Sequence, residues 1–406
     1  MNILERFLTY VGFATTSSED ADVCPSNPDE FLLAKELVRE LKQLGITDAR
    51  VDEQCFVYGT LESNVGHDCP TIGFLAHMDT SDATSGTGIR ARVIENYDGG
   101  DIELSSGIRT TVADYPDIAS LKGKTIVVTD GTTLLGADDK AGIAIIMDYL
   151  QRCHDDPSIK HGKVLVCFTP DEETGTGIHH IDLSQFKVDY AYTLDGGAVD
   201  VITYECFNGA HAQITFHGNS IHPGSAKGKM INACQLAIDF HNMLPAFDRP
   251  ENTEKREGFN HLLAVTGDCQ QAASSYIIRN HDAVIFHKQM KQFEMIRDYM
   301  NESYGRQVVE LDLQETYHNM RECFEGKEYI IDIAVKALTD LGYEVKFDPI
   351  RGGTDGSQLS FMGVPTPNIG TGGMFFHGNH ELVCVDDMKV MTEVVKKIAE
   401  ASSEVK

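Results

Sequence analysis

Tryptophan is missing from all 406 residues, and the ten cysteines form no C-x-x-C pair. Scattered thiols, several inside apolar runs such as Cys167 in VLVCF and Cys234 in a helical pattern, read as reduced core residues. That usage argues against a cysteine-type structural zinc site and for a cytoplasmic protein. Basic residues are also scarce: 34 Lys and Arg stand against 62 Asp and Glu, a net charge of −28. Nucleic acids and anionic membrane surfaces both select basic patches, so neither is an expected partner. No apolar run approaches the ~20 residues of a membrane span. The first residues, MNILERFLTYVGF, lack the basic start and long apolar core of a signal peptide.

What remains is an ordinary soluble composition, 42% hydrophobic and 24% charged. The length exceeds what one core usually organises, which predicts two domains. Apolar runs alternate with helical periodicity along 1–207, the pattern of an α/β sheet with helices on both faces. Helices are expected near 2–13, from Asn27-Pro28-Asp29 to Gly45, and from Asp138 to about Cys153. Strands are expected near 49–60, 71–77, 125–130, 163–169 and 190–194. The Gly-, Thr-, Ser- and Asp-rich stretch 81–118 reads as an irregular insertion. From 208 to 318 the order becomes β-α-β-β-α-β, a ferredoxin-like α+β unit inserted into the first domain. Its first helix should bury Ile231, Cys234 and Ile238, with Met230, Ala237 and Leu244, on one side. The chain then returns to the first domain over 319–406.

Ligands of α/β sheets gather outside the carboxyl ends of the strands. TIGFLAHMDT ends there in His77 and Asp79, which face the same way because strand side chains alternate. Taken alone, such a pair is more often a hydrogen-bonded strand end than a ligand site. Three further junctions end in carboxylates: Asp138-Asp139 before a helix, Glu172-Glu173 in TPDEETG, and Asp195 in YTLDGG. His377 follows a late glycine-rich segment. Two histidines with several carboxylates suit a borderline divalent metal such as zinc, or manganese or cobalt. Their number suits two ions bridged by a carboxylate and a water, with one carboxylate left as general base. From spacing alone, a solvated acidic rim or a single structural ion such as calcium fits as well.

HMDT, GADDKAG, TPDEETG, YTLDGG, NSIHPG, RGGTDGSQLSFMG and FFHGNHE, in this order, resemble the two-zinc exopeptidase family that holds carboxypeptidase G, aminoacylase and succinyl-diaminopimelate desuccinylase. The resemblance covers essentially the whole chain. It implies a mixed-sheet catalytic domain in two parts, 1–207 and 319–406, with 208–318 as an inserted lid. It implies that His77 and Asp195 hold one zinc, Glu173 and His377 the other, and that Asp138 bridges them. Glu172 becomes the general base, and Asp79 orients His77 and touches nothing else. His222 of NSIHPG is implied to stabilise the oxyanion, and Arg279 and Arg351 are candidates for gripping a substrate carboxylate. The implied activity is removal of the N-terminal residue from tripeptides. Rival readings are a dipeptidase or acyl-amino-acid deacylase of the same family, or a non-catalytic peptide- or metal-binding protein. A homodimer stays open.

Overall fold

A computed structural model describes residues 1–105, 107–350 and 353–405. The chain divides into two compact units. One comprises Met1–Tyr204, Cys323–Asp348 and Thr354–Lys406, and the other comprises Glu205–Glu322 and Pro349–Gly353. Among the described residues, no helix is long and apolar enough to cross a membrane.

The first unit is built on an eight-stranded mixed sheet. Its centre is three neighbouring parallel strands, Val164–Thr169, Ile72–His77 and Tyr190–Gly196, with Asn368–Gly370 beside the last. Residues 72–77 and 164–169 are buried throughout, as strands covered on both faces must be. The alternation of side chains is visible within one strand. Phe74 meets Tyr149 of the helix Ala137–Asp155, whereas its neighbour Leu75 packs with Leu359, Phe186 and Ile178 on the other face. The helix-on-both-faces α/β class is therefore the one observed.

Local differences from expectation have local causes. The strand near 49–60 is interrupted between Arg50–Val51 and Val57–Leu61. There Asp52 accepts the N–H groups of Gln54 and Phe56, and Cys55 adopts a left-handed backbone with φ 71°. The stretch 81–118 is not wholly irregular. Arg92–Ile94 joins Ile126–Val128, Leu382–Cys384 and Gly373–Met374 in a second, antiparallel sheet of four strands. That sheet covers its own core around Tyr97, Ile118, Leu121 and Val128.

In the second unit the order is β-α-β-β-α-β: Asn208–His217, Ala233–Met243, Phe259–Gly267, Gln271–Asn280, Ala283–Tyr304 and Val309–Tyr317. All strand pairs are antiparallel, and Asn208–His217 lies between Gln271–Asn280 and Val309–Tyr317. Ile214, Phe216, Phe240, Tyr276 and Phe293 form its core. The first helix buries Ala233, Leu236, Ala237 and Phe240, while Ile238 is 51% exposed. Ile238 falls about 100° round the helix from Ala237, outside the buried stripe.

Candidate metal centre

The parallel strands end level with one another. His77 is in register with Thr169, and Leu75 with Thr193, so Asp195 stands beside His77 at the same edge. The His77 ring is buried. Its Nδ1 lies 3.1 Å from the Asp79 backbone carbonyl and 3.3 Å from the Asp79 carboxylate. An N–H on Nδ1 is thereby fixed, and Nε2 is turned inward. Nε2 lies 2.9 Å from Asp138 Oδ1 and 3.5 Å from Asp195 Oδ1. Burial opposes charge on this ring, but the hydrogen bonds with Asp138, Asp195 and Asp79 outweigh it and hold its pKa well above the ordinary value.

Asp79 does more than orient His77, which corrects the expectation that it touches nothing else. Its Oδ1 accepts the Glu172 N–H at 3.0 Å and its Oδ2 accepts the Glu173 N–H at 3.1 Å. A fully buried carboxylate thus fixes both the histidine and the turn that carries the two glutamates. Burial works against its charge, yet His77, then hydrogen bonds from Ser17 and the Glu172 N–H, hold its pKa below the usual range.

Asp138 lies between the two histidines, Oδ1 toward His77 and Oδ2 3.1 Å from His377 Nε2. Burial again opposes ionisation, and the hydrogen bonds from His377 and His77 overcome it. Asp138 and Asp139 have non-helical backbone angles and are joined by a cis peptide bond. Asp139 acts as the cap of the helix proper. Its Oδ1 accepts the Gly142 N–H at 3.2 Å, and its Oδ2 accepts the His77 N–H at 3.2 Å. Gly142 is required because a Cβ there would sit 2.1 Å from the Leu194 carbonyl oxygen, next to Asp195.

His377 Nε2 is 2.9 Å from Glu173 Oε1. His377 sits in the left-handed region at φ 63°, on a loop after Gly372 and Gly373. Its hydrogen bonds to Asp138 and Glu173 push its pKa up to about 10. Asp195 is pushed up to about 7, first by burial. Burial and then Asp195 raise Glu172 well above the carboxylate range.

Two overlapping groups, His77–Glu172–Asp195 and His77–Asp138–Glu173, each bring one candidate ligand atom per residue within 4.8 Å of the others. The donors are nitrogen and oxygen without thiolate, the set of a borderline divalent ion. Several buried carboxylates crowd one another here, with His77 and His377 set among them. Glu173 Oε1 is buried against the His377 ring, 2.9 Å from Nε2. These residues fit a divalent metal pair.

The remaining expected residues belong to the second unit, to loop packing, or to positions outside the described chain. His222 is exposed in the second unit, where its Nδ1 accepts the Gly224 N–H at 3.1 Å. Arg279, also in the second unit, donates to the carbonyls of Ala210 and Ile278 and lies over the Tyr317 ring at 4.9 Å. Arg351 lies outside the described residues. His380 belongs to loop packing, 2.9 Å from Thr110 Oγ1 and against the Tyr115 ring. Two acidic groups at the site escaped the reading of the sequence. Asp355, at the start of the helix Asp355–Phe361, is buried, and burial pushes its pKa up to about 7. Glu381 accepts three backbone N–H groups from the segment that leads into Asp138. Both sit within conspicuous motifs, Asp355 in RGGTDGSQLS and Glu381 at the end of FFHGNHE, and each motif was a usable signal.

An α/β sheet whose parallel strands end in a shared histidine–carboxylate cluster is the layout of a metal-dependent hydrolase. The chain belongs to Peptidase family M20/M25/M40, whose sequence profile matches residues 129–401. Among its relatives is a Peptidase T of Geobacillus sp. (strain WCH70), 48% identical over 98% of this chain and 97% of the relative. A Peptidase T of Bacillus subtilis (strain 168) is 47% identical over the same shares. The fold matches the crystal structure of an aminopeptidase PepT from Bacillus cereus, with a TM-score of 0.78, 20% identity and coverage of 99% and 98%. It also matches a dinuclear metal-binding M20 peptidase from Bacillus subtilis, with a TM-score of 0.65, 13% identity and coverage of 100% and 98%.

Proposed function

We propose that this hydrolase is an aminopeptidase that removes the N-terminal residue from tripeptides in the cytoplasm, with two zinc ions as cofactor. The observation that carries the reading is the convergence of His77, Asp138, Glu172, Glu173, Asp195 and His377 at one strand edge, in a chain nearly half identical to proteins named Peptidase T. His77 and Asp195 would hold one ion and Glu173 and His377 the other, with Asp138 between them. Manganese or cobalt would substitute. When bound, such a pair supplies a water acidic near neutrality and a Lewis acid for the scissile carbonyl. Glu172 takes a proton from the attacking water on a carboxylate oxygen and delivers it to the departing amine. Asp79 keeps Glu172 and Glu173 in place through their backbone N–H groups. His222 is assigned the oxyanion. With Nδ1 committed as an acceptor from Gly224, its neutral ring carries the proton on Nε2, a donor. Residues 208–318 are assigned the role of substrate-binding lid, with Arg279 and Arg351 as carboxylate-binding candidates.

A substrate panel tests this. Ala-Ala-Ala should be hydrolysed at its first peptide bond, faster than Ala-Ala or tetra-alanine, and N-acetylation should abolish turnover. Preference for the acylated substrate would instead make the protein a deacylase, and preference for Ala-Ala a dipeptidase. No turnover of any substrate by protein with two bound ions would leave a binding protein.

A further inference from the structure

Asp138 and His377 come from segments 239 residues apart and meet at 3.1 Å. Neither is fixed by regular structure. Asp138 has non-helical backbone angles, and His377 lies in a loop between the short strands Gly373–Met374 and Leu382–Cys384. One side chain ties the two segments together. Glu381, 1% exposed and four residues after His377, directs Oε2 at the N–H groups of Leu135 (2.6 Å) and Gly136 (3.0 Å). Its Oε1 accepts the N–H of Asp138 at 3.1 Å. These donors precede a helix, where backbone N–H groups have no intrahelical acceptor. Lys140, fully buried in the same helix, anchors its far side by donating to the Phe13 carbonyl at 3.2 Å.

We propose that Glu381 is a positioning residue that sets the spacing of Asp138 and His377, and through it the affinity of the ion they share. The inference rests on the two-ion reading above. A neutral, isosteric replacement breaks the arrangement because both carboxylate oxygens are accepting. An amide offers one oxygen and turns an NH₂ toward a backbone N–H.

The test is zinc titration of metal-free wild-type, Glu381→Gln and Glu381→Asp proteins, with steady-state kinetics on Ala-Ala-Ala. Wild type should bind two zinc ions. Glu381→Gln should bind the ion at Asp138 and His377 about 10–100-fold more weakly, the usual effect of removing a ligand's own support. The other ion, which keeps His77 and Asp195 but shares Asp138, should weaken by a clearly smaller factor. The kcat of this variant should fall at limiting zinc and recover as zinc is raised about 10–100-fold, with KM unchanged. Glu381→Asp, one methylene short, should fall between. Equal weakening of both ions, or two ions at wild-type affinity in Glu381→Gln, would overturn the proposal while leaving the two-ion reading intact. Fewer than two ions on wild type would overturn both. Should the variants fail to fold, hydrogen exchange on the metal-free wild type decides. The amides of Leu135, Gly136 and Asp138 should be protected, and free exchange there would refute the role.

Discussion

Replacing Asp79 by asparagine separates two roles that one carboxylate performs. The change is isosteric, and Asp79 is fully buried, so solvent cannot compensate. His77 loses a charged partner 3.3 Å from its Nδ1, but the Asp79 backbone carbonyl at 3.1 Å still accepts from that nitrogen. The ring orientation therefore survives. Among the described residues, the Glu172 and Glu173 N–H groups have no such second acceptor. Glu172 N–H and Glu173 N–H point at different oxygens of the same carboxylate, and asparagine can satisfy only one. The other donor then faces an NH₂ group in a dry site, which costs about 1–3 kcal/mol. If that cost falls on the placement of Glu172 and Glu173, the rate on Ala-Ala-Ala drops about 10–100-fold at 1.36 kcal/mol per decade. Metal titration should find two ions, with the ion on Glu173 bound more weakly and the ion on His77 little changed. Loss of the His77 ion alone, with kcat intact, would show that Asp79 serves the histidine and not the turn.

Other perturbations have equally definite outcomes. Glu172→Ala should retain both ions by elemental analysis and lose about 10²–10⁴ in kcat, the range for a general base; near-normal turnover would remove Glu172 from that role. Gly142→Ala forces a Cβ within 2.1 Å of the Leu194 carbonyl oxygen. It should destabilise the protein by about 1–3 kcal/mol in denaturant unfolding, and wild-type stability would contradict the packing described. Glu30 is buried, and burial, then Asp79 and Asp171, push its pKa from 4.5 up to about 10. A group whose pKa rises on folding contributes stability that is complete below pH ~4.5 and is lost as pH climbs toward 10. Glu30→Gln should therefore match wild type in melts at pH 5 and exceed it at pH 8.5. Parallel pH profiles for the two proteins would refute the buried, protonated state.

Much of the catalytic sheet was legible because buried parallel strands read as continuous apolar runs with polar tips. His77, Asp195 and the Glu172-Glu173 pair each sit at such a tip, so local pattern sufficed to nominate them. Asp138 and Asp139 could be told apart in the sequence only through the family resemblance, which implies Asp138 as ligand and leaves Asp139 as cap, since capping depends on where the helical backbone begins. The small antiparallel sheet was hidden because its strands are two or three residues long and come from positions 92 to 384. The role of Glu381 was hidden for a related reason. Its partners are backbone amides some 245 residues away, and a carboxylate that binds backbone leaves no mark in residue spacing. Ile238 shows the opposite limit: several helical stripes fit the apolar residues of that segment, and the sheet beneath selects one.

The central claim is a two-ion site at one strand edge. Anomalous diffraction at the zinc edge from crystals of zinc-loaded protein addresses it directly. The account predicts two peaks about 3.5–4 Å apart. One should lie against His77 and Asp195, the other against Glu173 and His377, with Asp138 between them and Glu172 bound to neither. A single peak, or two peaks of which neither touches Asp138, would contradict it.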